Sequence, residues 1–256
     1  LTSHSCDPML RVRVGIPHFF RESSNPGKPG YGSSRSGNRL GRSIALARCL
    51  SSVLALNRAP TDLVLNILGQ EISTTPVSRM PGYRGLSVEL HLFVSGDDWI
   101  QEVVNLYEQR LHLHRLDLSD PRQLPLTAVK ELLAMNDVAQ MSLYLEDDLV
   151  ISDHRYIDKI SWLCERTEHR FVFMPHRYEP TVANAPQKFY VDGPNRKLDE
   201  NSLNQIDGQE EFLRANIFGD KEIGFSVASN PHSGSFCISS QQLYRLQSCP
   251  WPPKEF

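Results

Sequence analysis

The 256-residue chain has no run of about 18 apolar residues, which leaves no transmembrane helix to be read from it. Its opening, "LTSHSCDPML", lacks the basic and apolar regions of a signal peptide. Cysteine is scarce and scattered. Cys6, Cys49, Cys164, Cys237 and Cys249 are odd in number and contain no C-x-x-C, which argues for reduced thiols over a disulfide framework or a zinc site. A cytoplasmic location is expected on these grounds. The first residue is Leu rather than Met, so a fragment or a processed form that has lost a targeting segment is equally compatible. Neither sign of charge is in excess: 27 Lys and Arg face 30 Asp and Glu. The net charge of −3 offers no electrostatic footprint for nucleic acid or an anionic membrane, and a small-molecule partner is left by elimination. Also missing is G-x-x-x-x-G-K-[ST]; "GIPHFFRESSNPGKPG" supplies Gly27, Lys28 and Gly30 without that spacing. No internal repeat is visible.

What is present reads as one α/β domain over residues 1–256. Leu10, Val12, Val14 and Ile16 alternate with Arg11, Arg13 and Gly15, the period of a half-buried strand that Pro17 ends. Residues 23–41 are dense in Gly, Ser, Pro and Asn and predict a long loop, a candidate mobile segment that orders over a ligand. Leu40, Ile44, Ala47, Leu50 and Leu54 predict an amphipathic helix, and "TDLVLNILG" a second strand covered on both faces. "LSVELHLFV" and "LHLHRLDL" read as further strands, with a helix carrying Trp99, Ile100, Val103, Val104 and Tyr107 between them. Leu124 to Met135 reads as a helix leading into "MSLYLEDDLVIS". Asp153 then caps a helix that presents Tyr156, Ile157, Ile160, Leu163 and Cys164, and "RFVFMP" returns as a strand. This order implies a mainly parallel Rossmann-type sheet flanked by helices over residues 10–152, followed by an irregular half over 153–256. In that second half "KFYVDGPNRKL" suggests a hairpin, and "GFSVASNPHSGSFCISSQQLYRL" a strand, a loop, a strand and a helix.

The informative feature is Glu146, Asp147 and Asp148 at the end of the apolar run Leu143 to Leu145. A buried carboxylate needs a basic side chain, a set of backbone N–H groups or a cation. In open α/β sheets this end of a strand faces the ligand crevice. Two readings follow. Either Asp147 or Asp148 caps the next helix or pairs with an arginine, or alternate carboxylates share a hard divalent ion. His112 and His114 have metal-like spacing, which alternation along a strand also produces.

"YLEDDLVIS" after a βαβαβ half resembles the D-x-D element of GT-A-type nucleotide-sugar glycosyltransferases in an E-x-D form. "LVIS", a helix, "FMPHR" and then "SGSFCISSQQLYRL" are similar to the ordered motifs of the exostosin-like group. The likeness extends over residues 10–248, by pattern rather than motif in the first half. It implies a metal-dependent transfer of sugar from a nucleoside diphosphate sugar, UDP favoured, to an acceptor hydroxyl. Asp148 would ligate Mn²⁺ or Mg²⁺ directly, Glu146 would reach it through water or touch the ribose, and Asp147 would lie between them. Pro17, His18 and Phe19 would wall the base, and Arg21 and Lys130 would approach base or phosphate. His232, Ser233 and Gly234 would line the donor. Tyr178, Tyr190, His232 and Trp251 would form the acceptor pocket. The catalytic carboxylate stays open between Glu255, the last side-chain carboxylate of the chain, Asp220 and Glu222, or a residue of a longer protein. Plainer roles compete: core packing for Phe19 and Phe20, a surface lysine at 130, a simple turn at 232–234. The alternative functions are a glycosyltransferase-like nucleotide- or carbohydrate-binding protein without turnover, and a nucleotidyltransferase.

Overall fold

The alternating run at Leu10 to Ile16 becomes the middle strand of a five-stranded sheet. A computed structural model describes residues 9–22, 37–76, 85–135, 139–181, 187–191, 211–216, 222–228 and 234–248. The first half comprises β1 (Met9–His18), α1 (Arg39–Leu54), β2 (Thr61–Asn66), β3 (Glu71–Pro76), β4 (Gly85–Ser95), α2 (Gln101–Tyr107), β5 (His112–Leu116), α3 (Leu124–Ala134) and β6 (Met141–Leu145). There follow α4 (Tyr156–Arg166), β7 (Tyr178–Pro180), β8 (Lys188–Tyr190), β9 (Glu211–Asn216), β10 (Glu222–Ser226), β11 (Ser235–Ser239) and α5 (Ser240–Gln247). The central order is β11-β6-β1-β4-β5. β6, β1, β4 and β5 run parallel, and β11 closes the β6 edge antiparallel. The expected α/β class, a mainly parallel sheet flanked by helices, is what the chain forms.

Alternation along the strands divides the core into two layers. Even-numbered residues of β1 and β4 pack with Leu46, Cys49, Leu50 and Val53 of α1 and with Ile157 and Ile160 of α4. On the opposite face Phe93 and Tyr144 meet Leu124, Ala128 and Leu132 of α3. Gly15 lets α3 approach: a Cβ there would stand 2.9 Å from Leu132 Cδ2. Arg13, only 2 % exposed, lies under the end of that helix. Its Nη1 donates to the carbonyls of Leu132 and Met135, both at 3.0 Å, and so satisfies acceptors that a helix C-terminus leaves open.

Three expectations change. The first six residues of "TDLVLNILG" form β2, which lies outside the central sheet and among the described residues pairs only with β3, all six of them exposed. Its apolar stretch is short, bounded by Asp62 and Asn66, and the turn at 67–70, with Gln70 at φ 54°, sends it straight back onto the polar β3. On α1 the expected stripe is met in part: Leu50 and Leu54 are buried and Ala47 packs against the core, whereas Leu40 and Ile44 face solvent and Leu46, Cys49 and Val53 are buried in their place. The helix is rotated because Arg42, on the same face as Leu46 and Cys49, is drawn to Asp147. "RFVFMP" is irregular rather than a strand, the edge it would join being occupied by β11. The tip of the hairpin expected in "KFYVDGPNRKL" lies outside the described residues, as do residues 23–36 of the expected loop; Lys188–Tyr190 pair with β7.

Replacing Arg13 with Leu is expected to lower the free energy of unfolding by about 1–3 kcal/mol, because two buried carbonyls lose their donor. Arg110→Ala, on an exposed side chain, should change it by less than about 0.5 kcal/mol. Urea denaturation of both variants checks this, and equal small effects would contradict the role given to Arg13.

Candidate active site

β6 is buried along its whole length, and at its carboxyl end the chain turns sharply, the Leu149 N–H donating to the Glu146 carbonyl at 3.1 Å. The turn separates the three carboxylates. Asp147 points back into the protein and is 8 % exposed, whereas the Asp148 side chain is half exposed. Arg42 Nη2 donates to both Asp147 oxygens at 2.6 Å. His18, at the end of β1, donates from Nδ1 to Asp147 Oδ2 at 2.6 Å. The tautomer follows from its other nitrogen, since Nε2 accepts the Ile100 N–H at 3.2 Å and the ring proton is therefore on Nδ1. One carboxylate thus ties together the end of β1, the first turns of α1 and the turn before α2.

Burial pushes the Asp147 carboxyl upward, but the hydrogen bond from His18 and the guanidinium of Arg42 outweigh it and hold the group below the ordinary carboxylate range. Arg42 behaves in the complementary way: burial disfavours its charge, and Asp147 and Asp148 raise its pKa in spite of that. Arg42 Nη1 also reaches Asp148 Oδ2 at 3.3 Å. This is the partner the acidic strand end required.

Glu146 is set on the other side. Its N–H donates to the Gly234 carbonyl at 3.0 Å, which joins the turn to the start of β11. Gly234 has φ +65°, and a Cβ on it would stand 2.5 Å from Glu146 Oε2. Backbone conformation and the close carboxylate both require glycine there. Among the described residues no three His, Cys, Asp or Glu side chains form a group that would hold a metal ion. Asp148 and Glu146 are oxygen donors of the type that hard divalent ions take, and two carboxylates fall short of a closed protein cage.

The remaining sequence candidates are distributed unevenly. Pro17 and His18 are buried, and His18 has both nitrogens engaged, so neither offers a surface to a base. The side chain of a β1-end residue that stays partly open is Phe19. Arg21 is exposed, forks onto Asp98 and lies 5.6 Å from the Phe19 ring centre. Lys130 is exposed on α3. Tyr178 and Tyr190 face each other across β7 and β8, their ring centres 6.1 Å apart. The Tyr178 hydroxyl is 3.2 Å from Ser152 Oγ, in the segment that follows the acidic turn. Glu222 begins β10 and pairs with Arg214 at 3.5 Å. Asp220, His232, Ser233, Trp251 and Glu255 lie outside the described residues.

Arg42 escaped the sequence reading. The signal was a basic residue in register with Leu46, Cys49, Leu50 and Val53, since a cation on the buried face of a helix implies a buried acid opposite it.

No protein-family model matches the sequence, and comparison with curated proteins found no match. Among solved structures the chain is similar to the crystal structure of S. aureus TarS 1-349, at 13% identity and a TM-score of 0.35. The match covers 70% of this chain and 39% of that one. The chain thus spans well under half the length of the protein it matches. No described helix is long and apolar enough to cross a membrane.

Removing the guanidinium should leave Asp147 as an uncompensated buried charge: Arg42→Met is expected to cost about 3–5 kcal/mol of stability. The double variant Arg42→Met, Asp147→Asn should recover part of that loss. The sign of the pH effect follows from the lowered Asp147 pKa. Its contribution is present above the usual carboxylate value of about 4 and is lost as pH falls through the lower folded value. Urea titrations should therefore show a decline in stability below about pH 4 that is flatter in Asp147→Asn. A double variant as unstable as the sum of the singles would contradict the pairing.

Proposed function

We propose that the chain is a glycosyltransferase of the GT-A type, binding a nucleoside diphosphate sugar at the acidic turn after β6 and transferring the sugar to an acceptor hydroxyl. The observation that carries this reading is the division of labour in the triplet. Asp147 is locked inward by His18 and Arg42, while Asp148, the last carboxylate of the E-x-D pattern, is directed to solvent at the ligand-binding end of a central parallel strand.

Each residue then has a task. Asp148 would ligate Mn²⁺ or Mg²⁺ and Glu146 would contact it through water; the bound ion would neutralise charge on the departing diphosphate. His18 and Arg42 act through Asp147, fixing the turn so that Asp148 has no freedom to rotate inward. Gly234, where a Cβ would stand 2.5 Å from Glu146 Oε2, leaves room for the Glu146 carboxylate beside the turn. The open face of Phe19 is the candidate surface for the base, with Arg21 above it. In the transfer the bond between the anomeric carbon and the diphosphate oxygen breaks, a bond to the acceptor oxygen forms, and the acceptor proton passes to a base. Tyr178, linked to Ser152 beside the turn, belongs to the acceptor side.

Calorimetry with UDP and Mn²⁺ tests the assignment. Binding is expected to require the ion, to weaken about ten-fold or more in Asp148→Asn, and to weaken less in Glu146→Gln. An Asp148→Asn chain that binds UDP with unchanged Mn²⁺ dependence would sink the proposal. Binding of UDP-sugars without hydrolysis or transfer would instead identify a non-catalytic nucleotide-sugar binder.

A further inference from the structure

Away from the acidic turn, on the face of the sheet that carries α3, parallel pairing sets His91 of β4 opposite His112 of β5, and Phe93 opposite His114. The rings stack. His91 and His112 have centres 5.0 Å apart, and Phe93 and His114 are 4.7 Å apart. A hydrogen bond of 2.9 Å joins His91 Nδ1 to His114 Nε2. His91 is 5 % exposed, and among the described residues its Nε2 has no hydrogen-bond partner, with Glu89 Oε1 standing 3.5 Å away. The same Glu89 oxygen is 3.6 Å from His112 Nε2. Two further charged groups act on the cluster, Arg13 from β1 and Glu131 from α3.

We propose that these three histidines are a pH-sensitive latch for the edge strand β5. Uncharged, they stack and hydrogen-bond and so add side-chain cohesion to the β4–β5 pair. Charged, they place like charges directly opposite one another on adjacent strands, with Arg13 close by, which disfavours the pairing. β5 is the strand that yields, because among the described residues it is at the sheet edge with β4 as its one strand partner. Its release reaches His18 at the end of β1 through a chain of hydrogen bonds. The Leu116 carbonyl at the end of β5 accepts the Gly96 N–H at 2.9 Å, and the same 96–100 segment gives the Ile100 N–H to His18, which holds Asp147.

The direction of the effect agrees with the burial of the ring. Desolvation first, then His114, His112 and Arg13, lower the His91 pKa to about 4. With an ordinary value of about 6.5, its contribution is complete above that pH and is lost as pH falls from there toward 4.

Amide hydrogen exchange at pH 7.5 and pH 5.0, corrected for intrinsic rates, tests the latch on the whole chain. Protection at Gly96 and Ile100 is expected to fall by up to about thirty-fold at the lower pH, while Glu146, whose N–H bonds to Gly234 on the other side of the sheet, keeps its protection. His91→Asn, which can retain the contact to His114 without titrating, should abolish most of that fall. His91→Gln gives the same comparison should His91→Asn fail to fold. Unchanged protection of Gly96 in the wild-type chain, an equal loss at Glu146, or the same fall in both variants would overturn the latch; a fall at Gly96 that Ile100 does not follow would overturn its link to His18.

Discussion

The carboxylate of Asp147, held by an imidazole on one side and a guanidinium on the other, is the constraint around which the sheet end is organised. An isolated carboxylate in that position would cost several kcal/mol or take up a proton. His18 and Arg42 remove the penalty, and in doing so they specify three distances at once: β1 to β6, α1 to β6 and, through Ile100, the turn before α2 to β1. The pair need not add much net stability over an apolar substitute. Its value is in orientation, because the donor geometry of a forked guanidinium and a single imidazole tautomer admits few alternatives. The rotation of α1, which leaves Leu40 and Ile44 in solvent, is a measure of how strongly that orientation is imposed.

The proposed function is built on this anchor. Successive residues in a tight turn diverge, so fixing the middle carboxylate inward directs its neighbours elsewhere. Asp148 emerges into solvent within reach of Arg42, which tempers its charge without enclosing it. Glu146 is set against Gly234, a position where any side chain would strike its carboxylate and where the backbone is left-handed. A rigid inner contact supporting a more open outer one is what a site needs if its ligand supplies the remaining coordination.

Much of this was legible in the sequence where a period or a run of charge was at stake. β1, β4 and β6, the α2, α3 and α4 helices and the β11–α5 unit all come from patterns that local physics imposes. The acidic turn was recognisable because three carboxylates after a buried run demand an explanation. Two things were hidden because they depend on which faces meet. Arg42 is recognised only once α1 is rotated so that its polar position looks inward, and counting apolar spacings from Leu40 gave the wrong rotation. Likewise His112 and His114 read as ordinary alternation until the sheet register brings His91, from another strand, against both. The hairpin of β2 and β3 misled for the opposite reason: a short apolar run resembles a buried strand until its neighbours, Asp62 and Asn66, are given weight.

The central claim is that adjacent carboxylates do separate jobs, Asp147 holding the fold and Asp148 meeting the ligand. Thermal unfolding of Asp147→Asn and Asp148→Asn, each with and without UDP plus Mn²⁺, tests it most directly, since a ligand that binds only the folded state raises the midpoint. The account predicts that Asp147→Asn melts well below the wild-type chain, whereas Asp148→Asn melts close to it but loses the upward shift that UDP and Mn²⁺ produce together. The opposite pattern, or a full ligand-induced shift in Asp148→Asn, would contradict it.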